Sequence, residues 1–129
     1  MNLLLPAGVR IVGQGITGAE GRVALPGMLA YGTNLVAGVT PGKGGQNING
    51  LPVFNTIAEA IAKVGKVDGS VQFVPPLFVK MATEEVLQAG LKFILIGAEK
   101  VPTKDAAMIL ALARRKKAVI VGPSSVGII

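Results

Sequence analysis

Three glycines with G-x-G-x-x-G spacing, Gly13, Gly15 and Gly18, follow a short apolar run. In strand-turn-helix units with this spacing, the first glycine permits the turn, the second lets a phosphate approach the backbone, and the third lets the helix pack closely on the strand. Thr17 followed by Glu20 has the spacing of a capping box, which places unpaired N–H groups and the positive end of a helix dipole beside the turn. The residues therefore predict an anion site, with a tight turn that binds no ligand as the alternative.

A second loop, which follows the apolar run at residues 35–39, determines which nucleotide this site would bind. A NAD site needs an Asp or Glu about 20 residues after the glycines, to accept from the ribose hydroxyls. Here the loop reads Thr40-Pro41-Gly42-Lys43-Gly44-Gly45, and no acid follows before Glu59. Lys43 on a glycine-rich turn with exposed N–H groups favours a phosphate contact over a ribose contact, which disfavours NAD. NADP, or another nucleotide with an additional ribose phosphate, remains a candidate ligand. A solvated loop lysine is the alternative.

Two further loops follow apolar runs and are candidates to line the same site. Pro75 and Pro76 end the run at residues 70–74, and because proline fixes φ, this corner is expected to be a rigid wall for a flat ligand group. A plain strand terminator is the alternative. Glu99 follows the run at residues 93–96, where it could accept a ligand hydroxyl or amide proton, or pair with Lys100 at the surface.

The chain contains no cysteine and no histidine, which excludes several kinds of chemistry. Without cysteine there is no disulfide, thiolate nucleophile or zinc-thiolate site, and a cytoplasmic or organelle-matrix location is expected. Without histidine there is no imidazole base, histidine metal ligand or phosphohistidine, so we expect no metal site. The apolar start at residues 3–5 is too short for a signal peptide and no run reaches the length of a membrane span, which predicts a soluble protein with no membrane partner.

The net charge of +6 comes from 13 Lys and Arg residues against seven acids. The basic run from Arg114 to Lys117 closes a predicted helix, where cations interact favourably with the negative end of the dipole. Because no aromatic residues alternate with the basic ones, nucleic-acid binding is disfavoured. A polyanionic small ligand explains the charge with fewer assumptions.

Apolar runs of strand length alternate with helical patterns along the chain. We predict strands at residues 9–12, 35–39, 70–74, 93–96 and 118–121, and helices at residues 19–31, 57–64, 79–89 and 104–115. Pro26 would interrupt the first helix, and residues 46–54 are predicted to be an irregular excursion that ends in a short strand. Half of the residues are hydrophobic, which suits strands buried on both faces.

The predicted fold class is therefore α/β, a single-domain, Rossmann-like, doubly wound and mostly parallel sheet of about five strands. Right-handed crossovers would bring the loops at Gly15, Lys43 and Gly97 to one edge of this sheet.

Several segments of the chain, in the same order, are close to the pattern of one known family. They are Gln14-Gly15-Ile16-Thr17-Gly18, Tyr31-Gly32-Thr33, Gly38-Val39-Thr40-Pro41-Gly42-Lys43-Gly44-Gly45, Gly50-Leu51-Pro52-Val53-Phe54-Asn55-Thr56 and Val101-Pro102-Thr103. On these motifs nearly the whole chain resembles the amino-terminal CoA-binding domain of the succinyl-CoA synthetase (succinate–CoA ligase) alpha subunit. The resemblance implies coenzyme A or an acyl-CoA as the ligand.

The resemblance also implies roles for individual residues. Thr17, Gly18, Ala19 and Glu20 would hold CoA phosphates at the start of the first helix, and Lys43 would contact a phosphate of the nucleotide end. Val74 and Pro75 would line the adenine side, and Ala98 and Glu99 would lie near the pantetheine arm. With the turn and the second loop included, the expected CoA-binding set is Gly15, Thr17, Gly18, Ala19, Glu20, Pro41, Lys43, Val74, Pro75, Ala98 and Glu99.

Three departures from the family pattern bear on function. We expect the second domain of the family, which carries the phosphorylated histidine, to be absent and residues 1–129 to form the CoA-binding domain only. Ser124-Ser125-Val126 stands where the family has an Asn-Cys-Pro segment near the phosphohistidine, and Ala98-Glu99-Lys100 stands where it has Thr-Glu-Gly. The chain is therefore not expected to perform the phosphoryl relay alone.

These observations favour a CoA-binding module that is not catalytic by itself. It would act alone or as the non-catalytic piece of a split ADP- or GDP-forming acid–CoA ligase, whose beta-like ATP-grasp and phosphohistidine parts lie on partner chains. The remaining alternatives are an NADP- or nucleotide-binding Rossmann regulator and an assembly protein that binds no ligand. The high hydrophobicity and the apolar residues 126–129 predict a homo-oligomer or a partner that covers this surface.

Overall fold

A seven-stranded sheet forms the centre of the structure, a computed structural model that describes residues 8–30, 34–97 and 100–121. The strands are β1 (Ile11–Gln14), β2 (Leu35–Val39), β3 (Asn47–Ile48), β4 (Leu51–Phe54), β5 (Gly69–Gln72), β6 (Phe93–Ile96) and β7 (Val119–Val121). They lie in the order β3-β4-β2-β1-β5-β6-β7, and all neighbours are parallel except β3 and β4. Strand order reverses at β1, which confirms the predicted doubly wound α/β class.

The described residues contain the helices α1 (Ala19–Ala30), α2 (Ile57–Val64), α3 (Val79–Gln88) and α4 (Thr103–Lys116), and a short 3₁₀ turn, Pro76–Phe78, precedes α3. Thr56 caps α2, since its hydroxyl accepts from the Glu59 N–H at 3.1 Å. Helix α1 continues through Pro26, where an interruption was expected. The packing of the fully buried Leu25 offsets the backbone hydrogen bond that proline cannot make. No helix within the described ranges is long and apolar enough to cross a membrane.

The two faces of the sheet are covered unequally. Helices α2, α3 and α4 pack on one face, where their buried side chains, among them Ile57, Leu87 and Ile109, meet those of the strands, such as Ile94. Helix α1 covers the other face through Leu25, next to Ile11, Leu35, Val53 and Val71.

Strands β6 and β7 extend beyond the area that α1 covers. On that side Phe93 and Leu95 are only half-buried, and Val119, paired with Phe93, is 44% exposed. The prediction of strands buried on both faces is therefore correct for the middle of the sheet and wrong for this part.

The strand count exceeds the expected five because residues 46–54 form a hairpin. Strand β4 is the short strand expected there, and β3 adds an antiparallel edge. Asn49 and Gly50 connect them with φ of 50° and 87°, the left-handed conformation that two-residue Asn-Gly turns require.

The carboxyl ends of β1, β2 and β5 lie side by side. The Gly15 N–H donates to the Val39 carbonyl oxygen at 2.9 Å, and the Phe73 N–H donates to the Gln14 carbonyl oxygen at 2.8 Å. These bonds fix the loops after the three strands to one another. Open α/β sheets bind ligands at this edge, where the strand order reverses.

Candidate functional site

Gly15 makes the turn that follows β1. Its φ is +72°, and a Cβ added there would lie 3.0 Å from Val74 Cγ1 and 3.1 Å from the Phe73 carbonyl group. Only glycine both adopts this backbone conformation at little cost and avoids a collision with Val74 and Phe73. The sequence interpretation assigned the turn to Gly13, and this is wrong because β1 extends to Gln14 and Gly13 lies inside the strand.

Close packing behind the turn depends on Gly21 and Gly38, which approach the buried Ile16. A Cβ added at Gly21 would lie 2.5 Å from the Ile16 carbonyl oxygen, and one at Gly38 would lie 2.6 Å from Ile16 Cγ2. For a Cβ at Gly18 the nearest atom is the Gly15 carbonyl oxygen at 3.4 Å, an ordinary contact. The packing role predicted for Gly18 is therefore wrong, and the two other glycines hold it.

Helix α1 begins one residue later than the capping-box pattern predicted. Its first hydrogen bond runs from the Arg22 N–H to the Gly18 carbonyl oxygen at 2.9 Å, so Gly18 occupies the N-cap position. The Thr17 hydroxyl instead donates to Thr40 Oγ1 at 3.2 Å, because the loop after β2 offers an acceptor there. The N–H groups of residues 19–21 precede the first helical hydrogen bond and lie at the positive end of the dipole, which makes them suitable for an anion.

Arg22 adds a cation beside this turn that the sequence interpretation did not assign. Its Nε donates to the Thr17 carbonyl oxygen at 2.8 Å, which holds the guanidinium over the turn while the residue stays exposed. The pattern gave no signal for it, because the G-x-G-x-x-G spacing ends before Arg22.

The loop that carries Lys43 uses its N–H groups within the protein. Those of Lys43 and Gly45 donate to backbone carbonyl oxygens at 3.0 and 2.9 Å. Those of Gly42 and Gly44 both donate to Asn55 Oδ1 at 2.9 Å. The prediction that this turn offers exposed N–H groups to a phosphate is therefore wrong, and the predicted phosphate contact would depend on the exposed side chain of Lys43.

A cavity of about 330 Å³ opens between these loops at the carboxyl edge. Ala19, Glu20 and Lys43 are exposed and do not line it, and Ala98 and Glu99 fall outside the described residues. Besides residues of the predicted set, the ends of β1 and β2 and several residues between 73 and 85 line the cavity. The predicted site residues that line the cavity are Gly15, Thr17, Gly18, Pro41, Val74 and Pro75.

Gln14, which lines the cavity, is the centre of a buried polar network. Gln14 Oε1 accepts from Ser70 Oγ at 2.7 Å and from Gln72 Nε2 at 3.0 Å, while Gln14 Nε2 donates to the Ala82 carbonyl oxygen at 3.1 Å. Gln72 Nε2 also reaches Thr83 Oγ1 at 3.2 Å. No buried side-chain N or O atom of the described residues lacks a partner, so the network joins β1, β5 and α3 without a free group for a ligand.

Apolar side chains surround the mouth of the cavity on the α3 side. Phe78 is 53% exposed and Met81 is 65% exposed, and both line the cavity together with Val74. Glu85, also in the lining, accepts from the Ile57 N–H at 2.7 Å and ties α3 to the start of α2. Sequence reasoning missed Phe78 and Met81 because their position at the mouth depends on how α3 is placed.

Most of the positive charge lies at the opposite, amino-terminal edge of the strands. Helices α2 and α4 end there, and the cations stabilise the carbonyl groups at those ends. Arg10 Nε donates to the Lys66 carbonyl oxygen at 2.7 Å, and Lys92 Nζ donates to that of Lys116 at 2.6 Å. Most of the basic residues therefore lie away from the cavity, and the interpretation of the net charge as the signature of a polyanionic ligand stays a prediction. Eight of the 13 Lys and Arg residues lie at this edge: Arg10, Lys63, Lys66, Lys92, Arg114, Arg115, Lys116 and Lys117.

The sequence profile of the family described as CoA binding domain matches residues 6–100 of the chain. The chain is 39% identical over 127 residues to subunit alpha 1 of the ADP-forming succinate–CoA ligase of Archaeoglobus fulgidus, a match that covers 98% of this chain and 43% of that protein. It is 41% identical over 133 residues to the malate–CoA ligase subunit alpha of Methylorubrum extorquens, covering 100% and 45% of the two. The chain thus spans less than half the length of these relatives.

Among solved structures, the ATP citrate lyase of Methanothrix soehngenii in complex with citrate and coenzyme A is similar in fold. The TM-score is 0.80, and the match covers 94% of this chain and 21% of that chain at 20% identity. The likeness supports the doubly wound architecture.

Proposed function

Since this chain belongs to the CoA-binding domain family, we propose that it binds coenzyme A or an acyl-CoA in the cavity at the carboxyl edge of the sheet. The observation that carries the proposal is that the start of α1, at Thr17 and Gly18, borders the same cavity as the apolar corner at Val74 and Pro75. A helix start suits a diphosphate, and an apolar wall suits an adenine ring. A cavity of about 330 Å³ is near the lower limit for ligand pockets, so it would take one end of CoA.

The diphosphate would lie against the N–H groups that open α1. The Gly18 N–H already donates to the Gly15 carbonyl oxygen at 3.1 Å, so Gly18 would contribute space while Ala19 and Glu20 donate. Glu20 would act through its backbone, because its carboxylate repels phosphate. The guanidinium of Arg22 would add positive charge beside the turn.

The nucleotide end would lie between the loop after β2 and the corner after β5. Pro41, Val74 and Pro75 would enclose the adenine ring, and the ammonium group of Lys43 would contact a phosphate of the nucleotide end. We propose Ala98 and Glu99 near the pantetheine arm on the family resemblance alone.

We further propose that residues 1–129 form the CoA-binding part of a larger acid–CoA ligase and catalyse no reaction alone. None of the 129 residues is a histidine that could carry a phosphoryl group. The relatives named above are alpha subunits of succinate–CoA and malate–CoA ligases. The ATP-grasp and phosphohistidine parts would then lie outside this stretch. The half-exposed face of Phe93, Leu95 and Val119 supports a covering partner or a second copy.

Calorimetric titration with CoA, dephospho-CoA and NADP tests the proposed binding. Dephospho-CoA lacks the ribose phosphate, so the wild-type chain should bind it about 2- to 10-fold more weakly than CoA, the range for one solvent-exposed hydrogen bond or ion pair. Lys43→Ala should bind both equally. Lys63→Ala, which removes one exposed lysine from the opposite edge, is the matched control and should keep the preference.

Three outcomes would count against the proposal. Equal wild-type affinity for CoA and dephospho-CoA would remove Lys43 from the phosphate contact. Tighter binding of NADP than of CoA would favour the nucleotide-binding regulator. The absence of binding to all three ligands would leave an assembly protein as the better description.

A further inference from the structure

The side chain of Asn55 holds the loop that carries Lys43. Asn55 follows β4 directly, and its Oδ1 accepts two hydrogen bonds, from the N–H groups of Gly42 and Gly44, each at 2.9 Å. These are the residues on either side of Lys43. One oxygen atom on a neighbouring element therefore fixes the backbone on both sides of this lysine.

Backbone hydrogen bonds also hold the loop, from the Lys43 N–H to the Thr40 carbonyl oxygen at 3.0 Å and from the Gly45 N–H to the Val53 carbonyl oxygen at 2.9 Å, so Asn55 adds the contacts to Gly42 and Gly44. Residues 40–46 belong to no helix or strand, and Gly42 and Gly45 have φ of +83° and +94° with nothing within 4 Å of an added Cβ. Glycine backbones in open space have many accessible conformations. Without the Asn55 acceptor, two N–H groups would hydrogen-bond to water and Lys43 would occupy a wider range of positions.

The contact between Asn55 and the loop is close as well as hydrogen-bonded. A Cβ added at Gly44 would lie 2.7 Å from Asn55 Nδ2, so a side chain there would displace the amide. The strand ends on both sides are also joined, since the Thr40 N–H donates to the Phe54 carbonyl oxygen at 2.9 Å. The loop is thus fixed at its base by the sheet and at its tip by Asn55.

We propose that Asn55 is a positioning residue for phosphate recognition, acting through the backbone of Gly42 and Gly44 to place the ammonium group of Lys43. The inference rests on the proposed contact between Lys43 and the nucleotide end of CoA. Lys43 is exposed, and neither ion pair found in the described residues engages it, so the loop backbone sets the point from which its side chain extends. Asn55 would then control the preference for the phosphorylated ribose without touching the ligand.

A double-mutant cycle separates this role from a general structural one. Calorimetry would give the affinities of Asn55→Ala, Lys43→Ala and the double variant for CoA and dephospho-CoA. We expect Asn55→Ala to weaken CoA binding about 2- to 10-fold, leave dephospho-CoA binding unchanged, and have no further effect once Lys43 is alanine. Asn47→Ala is the matched control, because Asn47 Oδ1 accepts from the Gly50 N–H at 3.0 Å in a different turn.

Two additional measurements check the mechanism directly. Amide hydrogen exchange should show faster exchange at Gly42 and Gly44 in Asn55→Ala, and retained protection in Asn55→Asp, which keeps the acceptor oxygen. In Gly44→Ala the added methyl group would displace the Asn55 amide, so this variant should also lose the preference for CoA over dephospho-CoA. It tests the same contact if Asn55→Ala folds poorly.

The outcomes distinguish this inference from the proposed function. If Lys43→Ala abolishes the preference for CoA and Asn55→Ala keeps it, the positioning role is wrong while CoA binding stands. Equal losses for CoA and dephospho-CoA in Asn55→Ala would also overturn it. If Lys43→Ala leaves the preference intact, the phosphate contact itself is wrong and the role of Asn55 is wrong with it.

Discussion

Replacing Gly15 with alanine should destabilise the fold through two separable effects. The left-handed conformation at φ +72° costs a residue with a side chain about 1–2 kcal/mol. The added Cβ would also lie 3.0 Å from Val74 Cγ1 and 3.1 Å from the Phe73 backbone, and such overpacking costs about 1–3 kcal/mol. We therefore expect Gly15→Ala to lower the free energy of unfolding by about 2–5 kcal/mol.

Gly50→Ala isolates the first effect. Gly50 has φ +87° and nothing within 4 Å of an added Cβ, so its substitution should cost about 1–2 kcal/mol. Urea unfolding of both variants measures the difference, and the gain from a less flexible unfolded chain cancels between them. Because Val74 also lines the cavity, Gly15→Ala should weaken CoA binding and Gly50→Ala should not. Equal stability losses for the two variants would refute the packing of Gly15 against the corner at Phe73 and Val74.

Three further substitutions test other parts of the structure. The hydrogen bond from the Arg10 N–H, and to a smaller extent the charge of Lys66, hold the pKa of Asp68 below its usual value. This interaction stabilises the fold above the pKa of Asp68 in the unfolded chain, about 4, and the stabilisation is lost as the pH falls through the lower pKa of the folded chain. In thermal melts, Asp68→Asn should thus be less stable than wild type at neutral pH, with the gap closing in acid. Gln14→Leu removes the hydrogen-bond partner of Ser70 Oγ and Gln72 Nε2 and should lower the free energy of unfolding, measured in urea, by about 1–3 kcal/mol. An unchanged urea midpoint would mean that the network adds no stability. Pro26→Ala restores a missing helical N–H at an exposed site and should stabilise the chain by about 1–3 kcal/mol, whereas a loss would show that α1 depends on its proline.

The alternation of apolar runs and helical patterns was sufficient to predict the fold class. Runs such as Leu35–Val39 are too short and too apolar to be surface elements, and together they predict a parallel sheet. The edge strand β3 was missed because its two residues, Asn47 and Ile48, carry no periodicity of their own. Only the Asn-Gly turn after it gave a signal, and it was interpreted as part of a loop.

Most of the loops that border the cavity could be predicted from the sequence, but the conformation and contacts of individual residues in them could not. Family motifs identified the segments, and the comparisons confirm the resemblance to succinate–CoA ligase alpha subunits. Which glycine takes the positive φ depends on where β1 ends, and this moved the turn from Gly13 to Gly15. The link between Asn55 and the Lys43 loop depends on two strand ends being neighbours, which no local pattern reports.

Charge was the least reliable guide to the ligand. The sequence gives a net charge of +6, but it does not reveal that the basic residues gather where α2 and α4 end. Arg10 and Lys92 have structural partners there, at carbonyl groups of Lys66 and Lys116. Near the cavity the positive charge is limited to a few side chains, so backbone N–H groups carry most of the proposed anion binding.

A crystal structure of the chain with CoA bound tests the central claim most directly. The account predicts that diphosphate oxygens lie within hydrogen-bond distance, about 2.7–3.2 Å, of the Ala19 and Glu20 N–H groups, with the adenine ring against Val74 and Pro75. A diphosphate bound instead at the basic amino-terminal edge, near Lys92 and the end of α4, or a cavity that excludes CoA, would contradict it.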